Sequence, residues 1–272
     1  MYPEDFSLTP EGVKDFIFEE TINGNKSAHV FHVSIEGCPY FLKVYHRRRK
    51  RRYDAQEFDV DCFSCESNAY HRLVAGGLCA RGLVPQFFGA TTDARATLPS
   101  SAVEYLSAFE DDEDPPAAVL LEYIPDLQPM DLSTFTYDRK NRFLALQELH
   151  TLPVLHCDIA SRHILVQPST NRVVFIDFDR AQTFPPAVMS QMFEEAFVEE
   201  KLLVTEFLDF MESDVSIGRI DKTHFWFYGW FKSEPRVKIT PALFTAEDRA
   251  AWQEENLRAG PDSEGGHAGT NV

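Results

Sequence analysis

The sequence predicts an α+β chain in two lobes: a five-stranded antiparallel first lobe with one helix, then a compact, mostly helical second lobe. Three observations predict it. Three runs of β-type residues follow one another with only turn signals between them. One helix-period run comes next, and beyond an apolar run ending at Tyr123 the periodicity is mostly helical. The expected organisation is a lead-in over 1–15, the first lobe over 16–123, a hinge at 124–128, the second lobe over 129–258 and a disordered tail over 259–272.

In chain order, Phe16 to Ile22 is strand-like and Asn23-Gly24-Asn25 is a turn signal. His29 to Ile35 alternates, with Phe31, Val33 and Ile35 on one face and Val30, His32 and Ser34 on the other. Glu36-Gly37 turns the chain into a third strand, Tyr40 to Tyr45. Phe58, Cys62, Cys65, Ala69 and Leu73 recur at helical spacing, and Gly76-Gly77 ends that helix. Pro85 to Ala90 reads as a fourth strand. Residues 93–116, low in apolar character and containing the acids Glu110 to Asp114, read as a solvated loop of low order. Ala117 to Tyr123 is the fifth strand. Tyr137 to Leu149 is helical, a long helix starts at Pro185-Pro186 and runs to about Met211, and Thr245 with Asp248 marks a last helix to about Arg258.

Bulk properties narrow the function classes. A formal charge of −17 argues against a general nucleic-acid binder. No apolar run approaches the length of a membrane span, and the acidic, polar start does not read as a secretory leader, so an intracellular setting, cytoplasmic or nuclear, is expected. The five cysteines do not suggest a disulfide framework. Cys62-x-x-Cys65 lacks the second pair a zinc site needs and reads as two positions on an amphipathic helix. Against the acidic background, Arg47 to Arg52 is an unbroken basic run. It is either a solvated loop, a weak nuclear-import signal or a contact for an acidic partner, and pairing with the acids at 110–114 is a further reading.

The chemistry concentrates between His156 and Asp179. Asp158 lies in a polar turn before the apolar run Ile164-Leu165-Val166, and Asp177 ends the run Val173-Val174-Phe175-Ile176. That is a strand–turn–strand unit with a carboxylate at each end, so both acids can face one point. Two converging carboxylates suit a divalent cation plus a proton acceptor, as phosphoryl transfer requires. Taken alone, Lys43 inside the third strand is either an edge lysine facing solvent or a phosphate contact, and Glu66 on the following helix is either a solvated charge or its partner.

Together, Lys43, Glu66 in E-x-x-A-Y-x-x-L, the strand Val119 to Ile124, His156-x-Asp158 and Asp177-Phe178 resemble the protein-kinase-like superfamily. The wording D-I-x-x-R-H-I-L with I-D-F-D-R-A looks most like a class of divergent kinase-like proteins seen in fungi. The resemblance covers roughly residues 16–182 and implies a two-lobed kinase-like fold. It implies that Lys43 and Glu66 position the ATP phosphates, and that Gly24 lies in the phosphate loop. The Glu122 carbonyl and Ile124 amide would hold the base, with Leu121 behind it. Asp158 would be the catalytic base and Asp177 a ligand for Mg or Mn. The partners implied are ATP and a protein or small-molecule acceptor of unknown identity.

The sequence also departs from that pattern. One glycine stands where three are usual, which restricts backbone approach to phosphates. His163 occupies the place of the second metal ligand, and imidazole suits transition metals better than Mg²⁺. Cys157 replaces the loop arginine, Asp179 replaces the last glycine, and no long docking segment follows. These departures support an alternative reading, a pseudokinase scaffold that binds nucleotide weakly or not at all.

Overall fold

The computed structural model describes Leu8 and residues 15–144, 152–184, 191–224 and 226. Five antiparallel strands form the first sheet, in the order β1-β2-β3-β5-β4. They are β1 (Phe16–Gly24), β2 (Ala28–Ile35), β3 (Cys38–Tyr45), β4 (Phe87–Thr91) and β5 (Ala117–Glu122). The expected meander is present, with the first turn at Asn25 to Ser27 rather than at Asn23.

Period-2 alternation divides the sheet into two faces. Phe31, Val33, Ile35, Tyr40, Leu42, Val44, Ala118 and Leu120 are buried on the outer face. Tyr45, Ala117, Val119 and Leu121 belong to the inner core with helix α1 (Cys62–Ala75). β3 and β5 are central strands buried on both faces. Lys43 therefore points to the inner face between Val30 and Val119, its cross-strand partners, and not to solvent at a sheet edge.

Two expectations need correction. Residues 93–116 are not a solvated loop of low order. They form α2 (Ala94–Thr97) and a 3₁₀ helix (Ser100–Phe109) that cover the outer sheet face with Ala94, Leu98, Ala102, Leu106 and Phe109. Those residues recur every three or four positions, so an apolar stripe was hidden in a polar average composition. Second, α1 starts at Cys62 and does not include Phe58. Asp61 caps it by accepting the Ser64 N–H at 3.3 Å, while Phe58 packs near Leu155, Phe184 and Phe197. The helix ends as expected, with Gly77 just beyond it in the left-handed region at φ 74°.

The basic run is engaged by the chain's own acids. Arg47 reaches Asp61 at 3.0 Å, Arg48 reaches Asp54 at 2.7 Å, and Arg49 grips Asp114 with two nitrogens. The exposed Arg49 pair contributes little stability.

After β5 the chain runs through β6 (Gln128–Pro129) and α3 (Tyr137–Leu144) to β7 (Val154–Leu155). The hairpin β8 (Ile164–Gln167) and β9 (Arg172–Phe175) follows, then β10 (Gln182–Thr183) and the long helix α4 (Gln191–Ile217). β6 pairs with β8, and β10 pairs with β7. The inner core continues without a break from α1 through the hairpin to Val204, Phe207, Leu208 and Met211 of α4. No helix among the described residues is long and apolar enough to cross a membrane. The following expectations lie outside the described residues: most of the lead-in, the end of the helix predicted to Leu149, the start of the long helix at Pro185-Pro186, the helix to Arg258 and the tail.

Candidate functional site

The inner face of β3 and the buried face of α1 bring Lys43 and Glu66 together. Lys43 Nζ lies 2.8 Å from Glu66 Oε2, 2.5 Å from Asp177 Oδ1 and 3.5 Å from Asp179 Oδ2. Burial disfavours the ammonium, but the three carboxylates outweigh it and raise the Lys43 pKa. Burial pushes the Glu66 pKa up, with the Lys43 charge opposing. Tyr45 stands two residues after Lys43 on the same strand face, and its hydroxyl donates to the same Glu66 oxygen that Lys43 reaches. Neither Glu66 nor Lys43 is a solvated surface charge.

The hairpin has one acid before it and one after it, as the sequence predicts, but only Asp177 lines the neighbouring cavity. β8 and β9 pair in register from Ile164↔Phe175 to Gln167↔Arg172, so Asp158 precedes the hairpin and Asp177 follows it. Asp177 has φ 69° and Cys157 φ 63°, left-handed conformations that non-glycine residues rarely adopt. His156 ties the two segments together. Its Nε2 donates to the Ile176 carbonyl at 3.0 Å, its Nδ1 accepts the Asp158 N–H at 3.3 Å, and its ring stacks on Phe175. Burial lowers its pKa. These contacts make His156 a structural tie and not an exposed group.

A residue that sequence reasoning missed holds the same loop from behind. Glu200, buried on α4, accepts the backbone N–H of His156 at 3.0 Å and of Cys157 at 2.9 Å. Successive amides beside a left-handed residue form a concave anion-binding nest, and here a side chain from a distant helix supplies the anion. No local signal marks Glu200 among the acids of α4.

His163 stands between the two acids. Its Nδ1 lies 2.8 Å from the Asp158 carbonyl oxygen and its Nε2 lies 3.1 Å from Asp177 Oδ2. Asp158 Oδ2 pairs with Arg162 at 2.8 Å. Burial opposes ionisation of Asp177, yet the adjoining Lys43 ammonium and the His163 hydrogen bond hold its carboxyl well below the usual range.

Lys43, Glu66, Asp177 and Asp179 belong to the wall of a cavity of about 480 Å³. Its polar end carries Lys43, Glu66, Asp177 and Asp179. Apolar side chains including Val30, Leu121, Leu165 and Ile176 line the rest, with Glu122 to Ile124 along one edge. That size and lining match an ordinary small-molecule site. Gly24 lies between the lining residues Asn23 and Asn25, and a side chain there would meet the His29 ring at 2.7 Å. Asp158 and His163 do not line the cavity but adjoin it through Asp177. Glu122, expected to act through its carbonyl, also uses its side chain. It accepts two bonds from Arg172 at 2.8 and 2.9 Å and the Gln86 N–H at 3.0 Å. Arg172 also donates to the Gly82 and Val84 carbonyls, so one guanidinium staples β9 to β5 and to the loop before β4.

Among the described residues no group of three or more His, Cys, Asp or Glu side chains is placed to hold a metal ion. Mg²⁺ typically uses one or two carboxylates plus substrate phosphates and not an all-protein cage. The donor set Asp177 and Asp179 on the cavity wall fits that habit. His163 is a poor donor for Mg²⁺ and a better one for a transition metal.

No protein-family profile matches the sequence, and no curated protein matches it. Among solved structures the chain is similar to the kinase PK-1 of Cydia pomonella granulovirus, at 11% identity and a TM-score of 0.44, over 71% of this chain and 68% of that one.

Proposed function

We propose that this chain is a divergent kinase-like phosphotransferase that binds ATP in the cavity and moves its γ-phosphate to a hydroxyl acceptor. One observation carries the reading: Lys43, held by Glu66, meets Asp177 and Asp179 at the polar end of a cavity whose other end is apolar. Lys43, with Asp177 and Asp179 available to a divalent cation that would offset their charge, suits a ligand with phosphates at one end and a flat base at the other. In this reading the two-lobed arrangement has its hinge at 124–128, and the Glu122 carbonyl at the end of β5 and the Ile124 amide hold the base against Leu121.

Lys43 would bind the α- and β-phosphates, and Glu66 and Tyr45 keep its side chain in place. Asp177 and Asp179 would hold Mg²⁺ or Mn²⁺. When bound, the metal would neutralise phosphate charge. Asp158 accepts the proton of the acceptor hydroxyl once Arg162 has moved off its Oδ2. The acceptor is a protein or a small molecule, and the absence of a long docking segment in the sequence after Asp179 favours the latter.

A second reading, a pseudokinase scaffold, is favoured by a specific contact. Both Asp177 oxygens are already engaged by Lys43 and His163, and Asp158 by Arg162. Thermal-shift titration with ATP, with and without Mg²⁺ or Mn²⁺, beside an ATP-hydrolysis assay, separates the two. The enzyme reading expects a metal-dependent shift and turnover that Asp158→Asn abolishes. Binding without turnover in the wild type would leave the scaffold. No shift for any nucleotide, with metal or without it, would remove the nucleotide reading altogether.

A further inference from the structure

The segment that leaves the site carries a buried side chain with no task in the reading above. Gln182 stands three residues after Asp179, at the start of β10, and does not line the cavity. Its backbone pairs with Leu155 of β7, the residue before His156. Its side chain reaches the chain that enters α1. Oε1 accepts the Asp59 N–H at 2.7 Å, and Nε2 donates to the Asp59 carbonyl at 3.0 Å. One amide thus fills both backbone groups of one residue, as a neighbouring strand would.

Asp59 lies just before Asp61, the cap of α1, and its carbonyl also meets the Cys65 thiol at 3.6 Å. Gln182 Nε2 lies 3.6 Å from the same sulfur, beside Glu66. The clamp therefore spans the gap between the first turn of α1 and the segment that carries Asp177 and Asp179. Lys43 spans that gap too, with Glu66 on one side and Asp177 on the other. The two ties differ in chemistry. Phosphates and a cation at the polar end compete for Lys43 and Asp177, so the ionic tie weakens when the site fills. The clamp is neutral, stands outside the cavity and keeps its bonds.

We propose that Gln182 is a positioning residue: it holds the start of α1 against the Asp177–Asp179 segment and, through Glu66, keeps Lys43 in place when a ligand draws on Asp177. Its effect on ligand binding rests on the nucleotide reading above; its hold on Lys43 does not. A tie of two neutral hydrogen bonds shifts the opening of α1 by roughly 10-fold. Opening uncovers the Lys43 amine, which Glu66 shields and which is 12% exposed.

Trace acetylation of the native full chain with acetic anhydride, read by mass spectrometry as the ratio of Lys43 to the exposed Lys26, tests that hold. Gln182→Ala is expected to raise the ratio roughly 10-fold. Gln182→Glu keeps the size but sets an oxygen against the Asp59 carbonyl, and the same rise is expected. Phe109→Ala, which weakens the fold from the outer sheet face, is expected to leave the ratio at its wild-type value. An unchanged ratio in both Gln182 variants, or an equal rise in Phe109→Ala, overturns the proposal. So does an Asp59 amide that exchanges in wild type as fast as free chain, a result that needs no variant. Isothermal titration with ATP and Mg²⁺ completes the test. Gln182→Ala is expected to weaken binding roughly 3- to 10-fold, and to have no effect in a Glu66→Gln background. Losses that add overturn the action through Glu66. Absence of ATP binding by wild type removes the nucleotide reading alone, and the Lys43 ratio and the Asp59 amide still decide the clamp.

Discussion

Glu200 offers the sharpest test of how the Asp158 loop is held. Its carboxylate, 2% exposed, accepts the consecutive amides of His156 and Cys157 at 3.0 and 2.9 Å, and Cys157 sits at φ 63°. Hydrogen bonds to charged groups contribute about 1.5–3 kcal/mol each. Glu200→Ala removes both and leaves two amides without their acceptor beneath α4, so a loss of about 3–5 kcal/mol is expected. Glu200→Gln keeps one carbonyl acceptor but turns an NH₂ group toward the second amide, and about 2 kcal/mol is expected. The left-handed Cys157 adds a local consequence, since such a residue costs roughly 1–2 kcal/mol and relaxes once its restraint is gone. Urea denaturation of the three proteins gives the stabilities, and amide hydrogen exchange at His156 and Cys157 reads the loop directly. The reasoning fails if Glu200→Ala stays within about 1 kcal/mol of wild type and those two amides remain protected.

Other expectations follow from the same packing. Phe109→Ala should destabilise by about 3–5 kcal/mol, because the ring is fully buried on the outer sheet face; a solvated loop there would show almost no change in urea midpoint. Arg172→Ala breaks a pair that keeps 19% and 15% exposure, so about 2–4 kcal/mol is expected, less than for a fully buried pair. A double-mutant cycle with Glu122→Ala and Arg172→Ala should show a coupling of about 1–3 kcal/mol, and additive losses would count against the staple. The pKa of His156 lies below its unfolded value near 6.5 because burial disfavours the imidazolium, against the pull of Glu200. The unfolded chain then binds more protons in the window just below pH ~6.5, so stability is lost as the pH falls through it. Urea midpoints at pH 8 to 5 should drop more steeply in wild type than in His156→Gln, and parallel profiles would refute the assignment.

Much of the fold was legible because its signals are local. Alternation along His29 to Ile35 separated Phe31, Val33 and Ile35 from Val30, His32 and Ser34, and the structure buries the first set on the outer sheet face. The hairpin between Asp158 and Asp177 was visible as two apolar runs and a turn. The segment 93–116 was misread because its average is polar, while a stripe of one residue in every three or four faces the sheet. Tyr45 carried a readable signal, its position two residues after Lys43. Arg172 and Glu200 carried none, since neither differs locally from the exposed charges around it.

The sequence by itself determined which side chains share a strand face and which acids end the hairpin, because periodicity and turn chemistry act over a few residues. Only the tertiary structure decided what those groups meet. It set Asp177 and Asp179 against Lys43, placed His163 between the two acids, and brought Glu200 under the Asp158 loop. Each of these contacts depends on how β3, α1, the hairpin and α4 pack around one core, and that packing is set by the shape of many buried side chains at once.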